Sequence, residues 1–233
     1  MTAQNTIEDS PFQDLLIVDI GGTVATGYAG KLFADYGARV VNIEPPQGFA
    51  TRQAKPLLNN GNSAIHAYLH ANKESVSCED LLVGHPAIVA ADLVLLDLST
   101  LPSSVSVDDF DTNVCAISWY GLNGPYAGFK GSDASIYALT GLMQGIGQSQ
   151  GPPIIPTGYQ PQIVGGLSAF NGAAGYLLGQ HFKDDNKSTT FCFEAQTLRP
   201  IISFPEIGPP MGFIQDPFHH ERGNRQGHVW NPV

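Results

Sequence analysis

The sequence predicts an α/β protein: an open, mostly parallel sheet with flanking helices. Three observations carry that expectation. LLIVDIG (15–21), TVATGYAGKLFADYG (23–37) and ARVVNIEPP (38–46) read as strand, helix and strand. Helical patterns and apolar strands then keep alternating along the chain, which is how parallel crossover units are written in sequence. Of the 233 residues, 42% are apolar and only 14% charged, a balance that builds a core and argues against disorder.

The first strand is a short apolar run closed by glycine. In the helix after it, Val24, Tyr28, Leu32 and Phe33 recur near helical spacing before Gly37 ends it. Pro45 and Pro46 stop the second strand. This order makes a unit with parallel strands and a right-handed crossover. AIHAYLHANK (64–73) reads as a helix, and EDLLVGHPAIVAA (79–91) as a helix interrupted near Pro86. DLVLLDLS (92–99) and NVCAISWYG (113–121) read as buried strands. SDASIYALTGLMQGIG (132–147) and VGGLSAFNGAAGYLLGQHF (164–182) are further helices, and TTFCFE (189–194) is a strand leading into a short helix. Beyond Pro200 proline, glycine and aromatic residues follow one another with little periodicity, the pattern of a connection and not of a core.

Composition also excludes partners. A formal net charge of -10 repels polyanions, because nucleic acid is held by clustered Lys and Arg. Cys78, Cys115 and Cys192 are widely spaced and odd in number, so they indicate neither a disulfide framework nor a zinc site, but buried thiols in a reducing cytoplasm. MTAQNTIEDSPFQD has no basic or apolar region of a signal peptide, and no apolar run approaches the ~20 residues of a membrane span. A soluble, cytoplasmic protein without nucleic-acid or membrane partners is expected.

Most local motifs have plain readings. DIGGTVATG (19–27) places a glycine turn after the first strand, but the spacing is not GxGxxG and Glu44 runs at once into two prolines, so a tight turn is expected instead of a nicotinamide site. His219, His220 and His228 have only Asp216 and Glu221 nearby, and no metal is expected. His66 and His70 are four residues apart without the glutamate of HExxH, which reads as one exposed helical face. Asp108, Asp109 and Asp111 read as a solvated loop or a helix cap. No GxSxG elbow is present. The long run Ala134 to Gln180 contains no Asp, Glu, Lys, Arg, His or Cys at all.

Several blocks taken together resemble class III CoA transferases, the family of formyl-CoA transferase, carnitine CoA-transferase and α-methylacyl-CoA racemase. The carriers are LLIVDIGGTVATGYAGKLFADYGARVVNIEPPQG (15–48), AIHAYLHANKESVSCEDL (64–81), ISWYGLNGPYAGFKGSDASIYALTGLM (117–143), GPPIIPTGYQPQIVGGLSAF (151–170) and RGNRQGHVWNP (222–232). The resemblance implies a Rossmann-like large domain over 15–200, after a tail over 1–14. It also implies that 201–233 is an extended linker toward a small domain missing from this sequence. It implies CoA transfer between an acyl-CoA and a carboxylic acid, with coenzyme A or acyl-CoA as substrate and no metal. A homodimer, a catalytic partner subunit or a fused second half would complete the assembly.

In active members of the resembled family an aspartate on the loop entering the Gly/Ala-rich helix attacks the thioester to give a mixed anhydride, a role that needs a carboxylate. Here that position is Gln162. Asp133, in GSD, reads as a helix-start cap or as a relocated nucleophile. The middle of that triplet, a histidine in the racemase branch, is Ser132. Cations expected against CoA phosphates are replaced by Pro45, the STLPSS loop and Trp119, so weak CoA binding is expected. The remaining cofactor-binding candidates are Thr23, Val24 and Ala25 on the first loop, Arg39, Lys73, and Asp97 in DLVLLDLS. The reading is therefore a non-catalytic or incomplete part of a CoA transferase. Its rivals are a structural or regulatory pseudo-enzyme subunit without CoA and an acyl-CoA racemase-like member.

Overall fold

The structure is a computed structural model that describes residues 10–79, 83–146, 151–181 and 192–196. Six parallel strands form one sheet, in the order β3-β2-β1-β4-β5-β6. They are β1 (Leu16–Asp19), β2 (Arg39–Glu44), β3 (Glu74–Ser77), β4 (Leu93–Asp97), β5 (Val114–Ser118) and β6 (Cys192–Gln196). The helices are α1 (Val24–Asp35), α2 (Ala64–Leu69), α3 (Pro86–Val89), α4 (Asp133–Leu139) and α5 (Gln160–His181).

The apolar strands are buried because both faces of the sheet are covered, which parallel sheets require. Successive residues point to opposite faces. Ile17, Val40, Leu93, Leu95, Cys115 and Ile117 therefore join one core with Ala25, Ala29 and Phe33 of α1 and Ala169 and Ala173 of α5. Their neighbours Val18, Ile43, Val94, Leu96, Val114 and Ala116 join a second core with Ile88 of α3. A cluster of Phe12, Phe33, Tyr36 and Phe170 closes the first core at its edge.

Glycine matters where the first loop and the two long helices approach other groups. Gly22 turns with φ of 63°, and a Cβ there would lie 2.3 Å from the Phe49 ring. A Cβ on Gly166 of α5 would lie 2.4 Å from the Ala25 carbonyl oxygen of α1. The small residues of the α5 sequence thus let two helix backbones meet on the sheet.

Several element boundaries differ from the sequence reading. Residues 64–73 do not form one helix: α2 ends at Leu69, Asn72 takes φ of 63°, and ESVS becomes the edge strand β3. All four of its residues are exposed, so the apolar pattern of a buried strand was never written there. Only Pro86–Val89 of the 79–91 helix is helical among the described residues, because Pro86 sits at a helix start. The 132–147 helix stops at Leu139, where Gly141 takes φ of 74° and a short 3-10 turn follows. Helix α5 begins at Gln160, before the expected 164, and β6 extends to Gln196. The linker assigned to 201–233, the three histidines within it and the RGNR block lie outside the described residues.

Candidate functional site

The carboxyl ends of β1 and β4 form the switch point of the sheet, where the chain turns to opposite sides and open α/β folds bind ligands. Thr23 caps α1 through a reciprocal box with Thr26 and donates its hydroxyl to Asp97 Oδ2 at 3.0 Å. Ser99 donates its amide at 2.8 Å and its hydroxyl at 2.5 Å to Asp97 Oδ1. Burial pushes the Asp97 carboxyl up, against the pull of these Ser99 and Thr23 donors. The structure thus brings Thr23 and Asp97 together, while Val24 and Ala25 turn their side chains into the core.

Beside this crevice lies a buried polar network. Lys73 has no exposed side-chain surface; its Nζ donates to the Gly27 carbonyl at 2.8 Å and stands 3.7 Å from Asp19 Oδ2. Burial brings the ammonium down to about 8, opposed by the attraction of the Asp19 charge. Asp19 in turn accepts the Gly21 amide at 3.0 Å, so the pair is wired to the first loop. Asn42 Nδ2 meets His70 Nδ1 at 3.1 Å, and Thr51 Oγ1 meets His66 Nδ1 at 2.9 Å. Burial, then Lys73, depresses His70 to about 3, and burial, then Arg52, depresses His66. The expected exposed histidine face is corrected: both rings are half-buried, 4.3 Å apart, because α2 packs on the 3-10 turn Ala50–Gln53 and the rings meet Thr51 of that turn and Asn42 of β2.

Two arginines, one of them a candidate, are paired with carboxylates. Arg39 begins β2, at the opposite end of the strands from Asp97, and forms a bidentate pair with Glu74 at 2.9 and 2.8 Å. Arg52 was not singled out from sequence. It reaches back across the Gly48 turn to Glu44 with two hydrogen bonds of 2.6 Å. Burial raises the Glu44 carboxyl, but Arg52, Ser75 and the Phe49 amide outweigh it and hold the group at about 2. A basic residue eight positions after the strand-ending glutamate, beyond a Pro-Pro-Gln-Gly turn, was the available signal.

The two catalytic candidates are joined. Gln162, in the first turn of α5 and not on the preceding loop, donates Nε2 to Asp133 Oδ2 at 2.7 Å, and its backbone amide lies 3.4 Å from Oδ1. Burial raises the Asp133 carboxyl and the Gln162 donors lower it, with burial the larger effect. Asp133 is not the cap of α4. Ser132 is, in a reciprocal box with Ser135, whose hydroxyl also meets Tyr120 at 2.7 Å. A Cβ on Gly131 would lie 2.3 Å from the Trp119 ring, so glycine lets that indole pack against the turn before α4.

Other expected features have modest places. Asp109 forms a reciprocal cap with Ser106, and Cys115 is buried. Among the described residues no group of three or more His, Cys, Asp or Glu could hold a metal ion, and no helix is long and apolar enough to cross a membrane.

A protein-family model described as CoA-transferase family III matches residues 12–88 and 114–188. The succinyl-CoA:glutarate CoA-transferase of Mus musculus is 26% identical over 185 residues, covering 73% of this chain and 42% of that protein. The acetyl-CoA:oxalate CoA-transferase of Acetobacter aceti is 27% identical over 182 residues, 72% of this chain and 46% of that protein. The chain spans less than half the length of these curated relatives. A crystal structure of a CaiB/BaiF family protein from Brucella suis superposes with a TM-score of 0.68 at 21% identity, covering 84% of this chain and 55% of that one.

Proposed function

Because the chain belongs to CoA-transferase family III, we propose that it takes part in moving CoA between an acyl-CoA thioester and a carboxylic acid, without itself supplying the nucleophile. Residues 15–200 are its CoA-facing large domain. The observation that supports this reading is the Gln162 amide, bound to Asp133, where the resemblance leads one to expect a reactive aspartate. A nucleophilic carboxylate attacks the thioester carbonyl, expels CoA thiolate and forms a mixed anhydride, which the acid or the thiolate then opens. A neutral amide is far too weak a nucleophile for that step. The reactive carboxylate comes instead from the rest of the assembly, a catalytic partner subunit or a further segment, in the cytoplasm.

A second reading, a pseudo-enzyme subunit that does not bind CoA, is favoured by the state of the cations. Arg39 is paired with Glu74, Arg52 with Glu44, and Lys73 is buried against Asp19. Each phosphate contact would have to compete with a bond already made, so CoA binding is weak. A racemase-like activity has less support, since Ser132 is engaged as a helix cap and carries no base.

The test incubates the 233-residue chain with succinyl-CoA and a carboxylic acid, and follows CoA exchange, hydroxylamine-trapped acyl-enzyme and thermal unfolding. The expected result is no adduct on the unaltered chain, a CoA-dependent rise in Tm and a trapped adduct in Gln162→Asp. An adduct on the unaltered chain overturns the non-catalytic assignment. An unmoved Tm selects the CoA-free subunit.

A further inference from the structure

Three Asn-Gly pairs occur in the sequence, at Asn60, Asn123 and Asn171, and the fold gives each a different setting. Asparagine before glycine carries a reaction of its own. The glycine backbone nitrogen, having lost its proton to solvent, attacks the asparagine Cγ; a C–N bond closes a five-membered imide, the Cγ–Nδ2 bond breaks, and ammonia leaves with a proton from water. A water molecule then opens the ring at either carbonyl, giving aspartate or isoaspartate. Glycine favours the closure because no Cβ shields its nitrogen and its backbone reaches conformations that other residues resist. The fold decides whether that nitrogen and that carboxamide are free to meet.

Asn171 lies inside α5, where the Gly172 N–H belongs to the helical ladder and the backbone cannot swing to close a ring. Asn60 is exposed, but on a tight turn: the Gly61 amide donates to the Leu58 carbonyl at 2.9 Å, and the Asn62 amide donates to Asn60 Oδ1 at 3.1 Å. Both reacting groups are held there. Asn123 is exposed on the loop between β5 and α4. Neither its carboxamide nor the Gly124 N–H makes a hydrogen bond among the described residues, and Gly124 takes φ of 105° with open space around its Cβ position.

We propose that Asn123 is a site of spontaneous covalent modification, in which water is the only co-reactant and a carboxylate replaces the carboxamide. Asn60 reacts more slowly, and Asn171 is protected while the chain is folded. The new negative charge falls on the loop that leaves the carboxyl end of β5, the strand paired with β4. That end of the sheet already carries Asp19, Glu44 and Asp97, the last residues of β1, β2 and β4.

The test incubates the 233-residue chain in mildly alkaline buffer made with heavy-oxygen water, followed by tryptic digestion and mass spectrometry. The three pairs fall in separate tryptic peptides, 53–73, 74–130 and 131–183. Asn123 should take up heavy oxygen about fivefold faster than Asn60, the worth of one hydrogen bond held on the reacting groups, with isoaspartate among the products and no label at Asn171. In urea the three rates should converge, because the reacting residues are the same and only the fold separates them. Asn123→Gln, which could close only a six-membered imide, should clear the label from peptide 74–130 and leave the Asn60 rate unchanged, with circular dichroism showing that the variant is folded. An Asn60 or Asn171 rate equal to that of Asn123 in the folded chain overturns the proposal. So does a ranking that survives in urea, which would assign it to the sequence instead of the fold, or label that persists in peptide 74–130 of the Asn123→Gln variant.

Discussion

Lys73 stands with no exposed side-chain surface between Asp19 and the Gly27 carbonyl. An ammonium in such a place is tolerable only with its partner, since an unpaired buried charge is costly. Lys73→Met should therefore destabilise the protein by about 3–5 kcal/mol in urea unfolding, because it strands the Asp19 carboxylate. Combining it with Asp19→Asn should recover part of that loss, and a double variant no better than the sum of its parts would show the two groups to be uncoupled. The neighbouring imidazoles are ordered by the same charge. With Lys73 and Asn42 both offering hydrogens to His70 Nδ1, that nitrogen accepts, Nε2 carries the proton toward Thr51, and the Thr51 hydroxyl can donate to His66 Nδ1. Sequence reading took His66 and His70 for an exposed helical face and Lys73 for a cofactor-binding candidate. Their burial depends on Asp19, Asn42 and Thr51, each on a different segment.

Helices α1 and α5 meet at a distance that only glycine permits. Gly166→Ala should destabilise the fold by about 1–3 kcal/mol, because its Cβ meets a backbone oxygen that cannot rotate away. Gly175→Ala, on the same helix with nothing within 4 Å of the added Cβ, should instead stabilise it by about 0.5–1 kcal/mol through helix propensity. Thermal melts of the two variants in opposite directions are the expected result; equal shifts would remove the close contact as the cause. Central strands were legible because continuous apolar runs such as LVLLD and VCAIS have no other stable use in a chain of this composition. Edge strand β3 was not, because ESVS carries no apolar signal and is ordered by pairing with β2.

At the scale of the molecule, acid acts on two groups of one network in the same direction. His70 is held at about 3 against an ordinary 6.5, so between these values the unfolded chain binds the extra proton and stability falls as pH falls. Glu44 is held at about 2 against 4.5, and its contribution, present at neutral pH, is lost as pH falls from about 4.5 toward 2. Tm should decline from about pH 6.5 downward and steepen below about 4.5. A His70→Gln variant should flatten the first phase alone. A Tm unchanged between pH 7 and 5 would contradict the burial of His70.

Composition and the strand-helix-strand opening determined the fold class, the five blocks between residues 15 and 232 carried the family resemblance, and the long uncharged run left no acid at residue 162. These are properties of order along the chain: apolar runs, glycine turns and the identity of one side chain. The tertiary structure alone decided that Gln162 and Asp133, 29 residues apart, share a hydrogen bond, that Lys73 is enclosed, and that Arg52 returns to Glu44. The physical reason is that parallel crossovers bring separate segments to one end of the sheet, where a polar atom's partner and burial are set by elements that its own neighbours in sequence do not specify.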